Sequence, residues 1–236
     1  MNTLRSSAIP VSDPSAGLRI TEIFYSLQGE ANAAGLPTVF IRLTGCPLRC
    51  TYCDTTYSFE GGERQSLDDI IKTTLDFKTP YICVTGGEPL AQPNALPLMQ
   101  RLADLGCEVS LETSGALDVS KVDPRISKVL DLKTPTSGEV ARNLLSNLDH
   151  LTQHDQIKFV ICNREDYEWS KHQVEQYKLA DKVSTVWFSP AFAVEKGAVR
   201  LPQLARDLAQ WILEDHLPVR FQLQLHKLLW NDETGR

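Results

Sequence analysis

Apolar residues along this chain recur in two alternating patterns, one typical of strands and the other typical of helices. Short apolar and aromatic runs predict strands at 20–25 and 38–43, on either side of a loop that contains glycine. Ser66 is a favourable N-cap for a helix whose apolar positions lie on one face. Farther along, the same patterns predict strands near 81–85, 107–112, 128–132, 156–162, 183–188 and 219–225, with helices near 94–105, 138–149, 165–179 and 201–214.

Strands that alternate with helices predict βαβ units and a parallel sheet. Six or so such units are too few to close an eight-stranded barrel. The pattern therefore predicts an α/β fold, an incomplete (partial) TIM-like (β/α) barrel of about six parallel strands. We expect a single domain over residues 18–236 and a flexible N-terminal arm at residues 1–17, where hydrophobic periodicity is weak.

Composition narrows the classes of function. The chain has 236 residues, of which 42% are hydrophobic, and this is enough to bury a sizeable core. A formal net charge of −6 argues against a general nucleic-acid or membrane-surface binder. No apolar run approaches the ~18 residues of a membrane span, and the first residues lack the apolar core of a secretory signal. We therefore expect a cytoplasmic enzyme that binds neither nucleic acid nor membrane.

Three of the six cysteines lie in one loop, Cys46, Cys50 and Cys53, with the spacing C-x₃-C-x₂-C. Clustered cysteines in a chain of intracellular type indicate a metal site before a disulfide framework. An iron–sulfur cube usually takes four cysteines, and structural zinc takes four closed ligands. Three thiolates would leave one iron open to a small molecule. The other cysteines, Cys83, Cys107 and Cys162, lie in or beside apolar runs and are expected to be buried.

Polar, ionisable or glycine-containing segments follow the predicted strands in turn. They are Thr85-Gly86-Gly87-Glu88-Pro89, Glu112-Thr113-Ser114-Gly115, Asp131-Leu132-Lys133, Ser189-Pro190 and His226. In α/β folds, ligands bind at the C-terminal ends of the parallel strands. These segments and the cysteine loop are therefore expected to form one shared site.

Several polar residues have both a functional and a structural interpretation. The Arg42 guanidinium suits a ligand carboxylate, or a structural ion pair with an acidic residue. Gln28 and Glu30 could read the edge of a heterocycle such as a pterin or purine, or belong to a solvated turn. Lys133 could pair with a ligand or with Asp131. A lone histidine such as His226 is more often a packed or surface residue than a functional one.

The cysteine loop, together with the downstream Gly-Gly-Glu-Pro, resembles the radical S-adenosylmethionine (SAM) superfamily. Within it, the chain resembles the 7-carboxy-7-deazaguanine synthase family over about residues 19–230. The closer match rests on Phe24-Tyr-Ser-Leu-Gln-Gly-Glu, Phe40-Ile-Arg-Leu-Thr-Gly-Cys, Cys53-Asp-Thr and Gln224-Leu-His-Lys.

The resemblance implies three sets of binding residues. Cys46, Cys50 and Cys53 would ligate a [4Fe–4S] cluster whose fourth iron binds SAM, and Thr55 would bind Mg²⁺. The SAM site would comprise Tyr52, Cys53, Asp54, Gly87, Glu88, Thr113, Ser114, Asp131, Leu132, Lys133 and Ser189. The substrate, 6-carboxy-5,6,7,8-tetrahydropterin, would contact Leu27, Gln28, Gly29, Glu30, Arg42, Thr85 and His226, with Arg42 on its carboxylate.

The implied reaction is a radical ring contraction that yields 7-carboxy-7-deazaguanine with loss of ammonia, in queuosine and 7-deazapurine biosynthesis. Such a lyase takes its chemistry from the cluster and SAM, so no protein side chain is expected to act as catalytic acid or base. The family further implies an external one-electron donor such as flavodoxin, and a homodimer. The alternatives are a glycyl-radical-enzyme activase, or a non-catalytic iron–sulfur or zinc-binding protein.

Overall fold

The computed structural model describes residues 17–191, 203–231 and 233–235. Its strands are β1 Gly17–Leu27, β2 Pro37–Leu43, β3 Glu63–Ser66, β4 Tyr81–Gly86, β5 Glu108–Thr113, β6 Ser127–Asp131, β7 Gln156–Ile161, β8 Thr185–Pro190 and β9 Arg220–Phe221. Its helices are α1 Leu67–Asp76, α2 Ala95–Asp104, α3 Arg164–Gln176, α4 Leu179–Lys182, α5 Gln203–Glu214 and α6 Leu225–Trp230. The predicted N-terminal arm lies outside the described residues except for Gly17, which begins β1.

The strands of the described chain form one sheet in the order β3-β1-β2-β4-β5-β6-β7-β8-β9. Seven of them, β2 and β4 to β9, run parallel, whereas β1 and β3 are antiparallel strands at one edge. This linear order confirms the α/β fold and is consistent with an incomplete barrel. The sequence pattern missed β3 because its four residues, Glu63–Ser66, are polar throughout.

Apolar residues of the strands and helices pack into a single core cluster. Ile41, Val84, Leu111, Leu130 and Phe159 come from five successive parallel strands and are fully buried. Burying a side chain of this size stabilises the fold by about 1.5–3 kcal/mol. Among the cysteines outside the loop, two are buried as expected, but Cys162 is partly exposed.

Helix α1 begins where its cap predicts. The Ser66 hydroxyl oxygen accepts a hydrogen bond from the Asp69 backbone N–H at 3.1 Å, which satisfies one of the free donors of the first turn. Its apolar residues Leu67, Ile70 and Ile71 are buried against the sheet, as the helical period predicts. Within the described residues, no helix is long and apolar enough to cross a membrane.

The helix predicted near 138–149 is wrong, since short 3₁₀ turns at Pro135–Ser137, Val140–Arg142 and Leu145–His150 occupy this region. Two asparagine side chains explain the difference. Asn143 accepts a hydrogen bond from the Lys133 backbone N–H at 2.9 Å and donates to its carbonyl at 2.8 Å. Asn147 donates to two carbonyls of the segment after β5. These side-chain bonds to distant backbone compete with a continuous helix.

The strand predicted at 219–225 is also wrong beyond its two-residue core, β9. The chain then leaves the sheet, and His226 lies in the first turn of α6 and not at a strand end. The alternating Gln222-Leu-Gln-Leu pattern suggested a strand. The Gln222 and Gln224 side chains instead donate to the Glu30 carboxylate, at 3.3 and 2.6 Å.

The loop after β1 begins at the N-terminal ends of the parallel strands, a position that the sequence pattern did not predict. Leu27 pairs with Pro37, the first residue of β2, so β1 ends where the parallel strands begin. The loop that follows extends to the far half of the sheet, where the Asn32 backbone N–H donates to the Gln156 Oε1 atom at 2.8 Å. It thereby connects the β1 edge to the start of β7.

Candidate active site

A cavity of about 790 Å³ lies inside the curved sheet, and it brings most of the predicted site residues together. Those that line it are Leu27, Gln28, Gly29, Glu30, Arg42, Cys46, Cys50, Tyr52, Cys53, Asp54, Thr55, Thr85, Gly87, Thr113, Ser114, Asp131, Lys133 and His226. The remaining predicted residues, Glu88, Leu132 and Ser189, are buried outside the cavity wall. The residues assigned to SAM and those assigned to the substrate therefore face one common space.

The cysteine loop is held by its own arginine. The Arg49 guanidinium donates to the carbonyl oxygens of Cys46 and Leu48, at 2.8 and 2.7 Å, and lies over the Phe59 ring at 4.2 Å. Burial raises the pKa of the Cys50 thiol to about 11 and also raises that of Cys46. Iron binds the thiolate form, so cluster assembly releases protons from these two groups.

Gly87 allows the turn after β4 to approach the cysteine loop closely. A Cβ atom at this position would lie 2.2 Å from the Gly45 carbonyl oxygen and 2.7 Å from the Cys46 Cβ. The next backbone N–H, that of Glu88, donates to the Gly45 carbonyl at 2.8 Å. Glycine is therefore required here because any side chain would displace the backbone that positions the first cluster cysteine.

The Glu88 carboxylate is fully buried and is satisfied by the protein itself. It accepts hydrogen bonds from the Thr113 hydroxyl at 2.9 Å, the Ser114 backbone N–H at 2.7 Å and the Leu90 backbone N–H at 3.0 Å. Thr113 and Ser114 both line the cavity. Glu88 therefore lies behind the cavity wall and holds in place the end of β5, whose residues Thr113 and Ser114 line the cavity.

Asp131 and Lys133 form an ion pair at the end of β6, with Nζ 2.9 Å from Oδ2. The other carboxylate oxygen of Asp131 is buried and has no hydrogen-bond partner within the described structure. A buried acceptor without a partner is costly, so this oxygen calls for a donor from a ligand. The ammonium and hydroxyl groups of SAM are such donors. With three thiols beside it for the cluster, this part of the cavity fits both cofactors.

The predicted carboxylate-binding residue Arg42 is anchored through one nitrogen. Its Nε donates to Glu22 at 2.7 Å, and the same carboxylate oxygen accepts the Tyr57 hydroxyl at 2.8 Å. The guanidinium also lies over the rings of Phe24 and Tyr57, at 5.7 and 5.8 Å. These contacts hold a charged, planar guanidinium at the cavity wall, and such a group suits a carboxylate ligand.

Gln28 and Thr85 are joined by Glu112, a residue to which the sequence analysis gave no role of its own. The Gln28 Nε2 atom donates to one Glu112 oxygen at 3.2 Å, and the Thr85 hydroxyl donates to the other at 3.0 Å. The neighbouring wall carries the Phe24 and Phe40 rings, stacked at 4.8 Å. Amide and carboxylate acceptors beside flat apolar rings suit a planar heterocycle with N–H donors.

Glu30 lies in the same half of the cavity, where Lys158 and Gln224 contact it at 2.5 and 2.6 Å. Burial alone would raise the pKa of Glu30, but the Lys158 ammonium and the hydrogen bonds outweigh it, so this pKa lies below its usual value. Lys158 was not among the predicted site residues, although a lysine inside the apolar run of β7 is a visible signal. His226 adjoins this group, since a Cβ at Gly29 would lie 2.1 Å from its Nδ1.

Thr55 lines the cavity beside a second ion pair. Its hydroxyl donates to Asp54 at 2.9 Å, and the other oxygen of Asp54 lies 3.0 Å from the Lys227 ammonium of α6. Hydroxyl and carboxylate oxygens are the hard donors that Mg²⁺ accepts. Magnesium binding at Thr55 stays a prediction. The Asp54–Lys227 pair connects the cysteine loop to the last helix, a contact that the sequence analysis missed.

Comparison with known proteins agrees with this geometry. The Radical SAM superfamily model matches residues 40–180. The 7-carboxy-7-deazaguanine synthase of Koribacter versatilis is 44% identical over 223 residues, which are 92% of this chain and 99% of the relative. That of Chlorobaculum tepidum is 42% identical and covers 93% of this chain and 97% of its own length.

A solved structure shares the fold. The crystal structure of QueE from Escherichia coli superposes with a TM-score of 0.71 and 23% sequence identity, covering 89% of this chain and 95% of that one. The superfamily model and the relatives point to the same assignment, and the solved structure shows the same fold. The chain therefore belongs to the radical SAM superfamily and, within it, to the family of 7-carboxy-7-deazaguanine synthases.

Proposed function

We propose that this chain converts 6-carboxy-5,6,7,8-tetrahydropterin to 7-carboxy-7-deazaguanine with loss of ammonia, a step of 7-deazapurine biosynthesis that provides the queuosine precursor. One observation carries the proposal: the cysteine loop, which follows β2, and the Gln28/Glu30 segment, which enters from the other end of the sheet, line the same cavity together with Arg42. A radical made beside the cysteine loop would thus reach a substrate bound in the same cavity.

The [4Fe–4S] cluster and SAM, when bound, would supply the radical chemistry that activates the C6 position of the substrate. The chain's own residues would hold these groups in place. Cys46, Cys50 and Cys53 would ligate the cluster, and the carboxylate of Asp131 would accept a donor of SAM through its buried, unpartnered oxygen.

The other half of the cavity is suited to a carboxylated pterin. The pyrimidine edge of a pterin carries N–H donors, which Gln28, Glu30 and Glu112 would accept. The Arg42 guanidinium would pair with the substrate carboxylate, and Mg²⁺ at Thr55 would neutralise remaining charge nearby. No side chain is assigned a proton-transfer role.

The reaction needs a reductant, because one electron must enter the cluster before SAM can be cleaved and the substrate does not provide it. We infer an external one-electron donor such as flavodoxin, since the sequence has no second cysteine cluster. We also infer a homodimer, the assembly of the family. A cytoplasmic site of action agrees with cysteines that must stay reduced.

The test is an anaerobic turnover assay on cluster-reconstituted protein with dithionite, SAM, Mg²⁺ and 6-carboxytetrahydropterin. Mass spectrometry would follow 7-carboxy-7-deazaguanine and 5′-deoxyadenosine. Catalytic product formation with little net loss of SAM is the expected result. Deoxyadenosine without product would reject the pterin substrate and favour the activase alternative. A brown protein that forms neither would favour a non-catalytic iron–sulfur protein, and a colourless one would favour a zinc protein.

A further inference from the structure

Lys158 is a buried cation at the boundary between the two halves of the cavity. Its side chain is 14% exposed, and its Nζ lies 2.5 Å from Glu30 and 3.9 Å from Asp131. Glu30 belongs to the group assigned to the substrate, and Asp131 belongs to the group assigned to SAM. The register of the sheet fixes this position, because Asp131 of β6 pairs directly with Lys158 of β7.

The lysine completes an alternating row of charges along the cavity wall. In order, the row consists of Lys133, Asp131, Lys158 and Glu30, with successive contacts of 2.9, 3.9 and 2.5 Å. All four residues line the cavity. A change of charge at Lys158 therefore acts on two carboxylates, one in each half.

Packing alone does not explain a lysine at this point of β7. The residues on either side, Ile157 and Phe159, point to the opposite face of the sheet and are fully buried in the core, whereas Lys158 lines the cavity. A charged side chain that is mostly withdrawn from water is retained only at a cost, which pairing with a carboxylate offsets. Burial would lower the pKa of Lys158, but Glu30 and then Asp131 outweigh this and raise it well above its usual value. Lys158 is thus a fixed positive charge and is unsuited to give up a proton.

We propose that Lys158 is a positioning residue shared by the substrate and SAM sites. It keeps the Glu30 carboxylate ionised and directed at the pterin, and it ties that carboxylate to the Asp131 side of the cavity. This inference rests on the proposed function, because it takes the pterin as the ligand of Glu30. Loss of the charge would loosen pterin binding and let SAM cleavage proceed without product.

The test compares Lys158→Met, Lys158→Arg and the control Lys128→Met with wild type. Lys128 is also buried in a sheet ion pair, 3.0 Å from Asp155, but it lies outside the cavity lining. The Kd of the pterin is measured by calorimetry, and the ratio of deoxyadenosine to product is measured in turnover. Lys158→Met should raise the pterin Kd and the deoxyadenosine-to-product ratio at least tenfold each. Lys158→Arg should bring both values most of the way back to those of wild type. The control Lys128→Met should lower thermal stability and leave both values unchanged.

A double-mutant cycle distinguishes a positioning role of Lys158 from a general contribution of this residue to stability. In a Glu30→Gln background, Lys158→Met should have little further effect on the pterin Kd, because its partner charge is already gone. An unchanged pterin Kd and an unchanged deoxyadenosine-to-product ratio in Lys158→Met would overturn the inference. Additive losses of pterin affinity in the double-mutant cycle would overturn it as well. If Lys158→Met yields no folded protein, Lys158→Gln replaces it. A wild-type enzyme that forms no product would instead reject the proposed function, which the same assays report separately.

Discussion

The Glu88 carboxylate accepts both the backbone N–H and the hydroxyl of Ser114, at 2.7 and 2.5 Å. Glu88 follows β4 and Ser114 follows β5, so this contact locks together the ends of two neighbouring strands. It also turns the carboxylate away from the cavity that it was expected to line. We therefore propose that Glu88 acts on SAM binding indirectly, by orienting Ser114.

We expect Glu88→Gln to lower the free energy of unfolding by about 1–3 kcal/mol, because the amide leaves a buried donor or acceptor unpaired. The SAM Kd should rise as Ser114 loses its support. Urea unfolding and SAM binding, both measured anaerobically on reconstituted protein, check this. Weaker SAM binding at unchanged stability would contradict it and would indicate direct contact with the ligand.

Replacing Glu30 by glutamine should destabilise the protein in a pH-dependent way. The variant leaves the buried Lys158 ammonium unpaired, and breaking such a pair costs about 3–5 kcal/mol. The native pKa of Glu30 lies below its ordinary value, so its contribution is full above that value, about 4.3, and is lost as the pH falls through the native pKa.

The measurement is the difference in unfolding free energy between wild type and Glu30→Gln at pH 7 and over a series of decreasing pH values that extends well below about 4.3, the ordinary pKa of a glutamate. The difference should be large at pH 7 and should narrow on acidification. A surface control, Lys182→Met, removes an exposed pair with Asp149 at 3.6 Å and should have no measurable effect at any of these pH values. If the difference in unfolding free energy for Glu30→Gln stayed constant with pH, the pairing with Lys158 would not be what keeps the Glu30 carboxyl ionised.

Arg42→Ala should raise the KM for the pterin at least tenfold, because the carboxylate loses its partner. Arg42→Lys should recover little, since a single ammonium cannot replace the planar fork between Phe24 and Tyr57. Steady-state kinetics at saturating SAM give both values. The control is Arg101→Lys, whose guanidinium pairs with Asp68 at 2.6 Å outside the cavity. An unchanged KM in Arg42→Ala would reject the assigned contact.

Gly87→Ala should reduce cluster incorporation, because its Cβ would lie 2.6 Å from the Gly45 carbonyl carbon and must displace the cysteine loop. We expect less iron per chain after reconstitution. The matched control is Gly106→Ala, at a φ of +84° with no neighbouring atom within 4 Å. It should lower stability by about 1 kcal/mol through backbone strain and leave the iron content intact. Full iron loading of Gly87→Ala would show that the loop adapts.

Local patterns were sufficient for most of the strands, for helices such as α1 and for the shared site, but they missed β3 and extended the last strand beyond β9. Cys46 and Asp131 were expected in one site because each follows a parallel strand, and both line the cavity. The rule that ligands bind at the C-terminal ends of parallel strands did not extend to residues around β1, because no local sequence pattern shows that this strand runs antiparallel. Gln28 therefore enters from the other end of the sheet.

The errors came where side chains bond to distant backbone. Asn143 and Asn147 sit in a segment with helical spacing, yet their amides bind loops that follow other strands. Gln222 and Gln224 alternate as in a strand, yet both reach Glu30, about 190 residues earlier in the chain. In each case, hydrogen bonds to groups that only the folded chain brings near outweighed the local pattern.

The sequence by itself determined the metal chemistry and the strand order along the chain, because cysteine spacing and hydrophobic period are properties of neighbouring residues. Tertiary structure alone decided the electrostatics of the cavity. Lys158 meets Glu30 across 128 residues, and Lys227 meets Asp54 from the opposite end of the domain. A charge can be buried only where its partner is brought to it, and the sheet register and the final helix make those encounters.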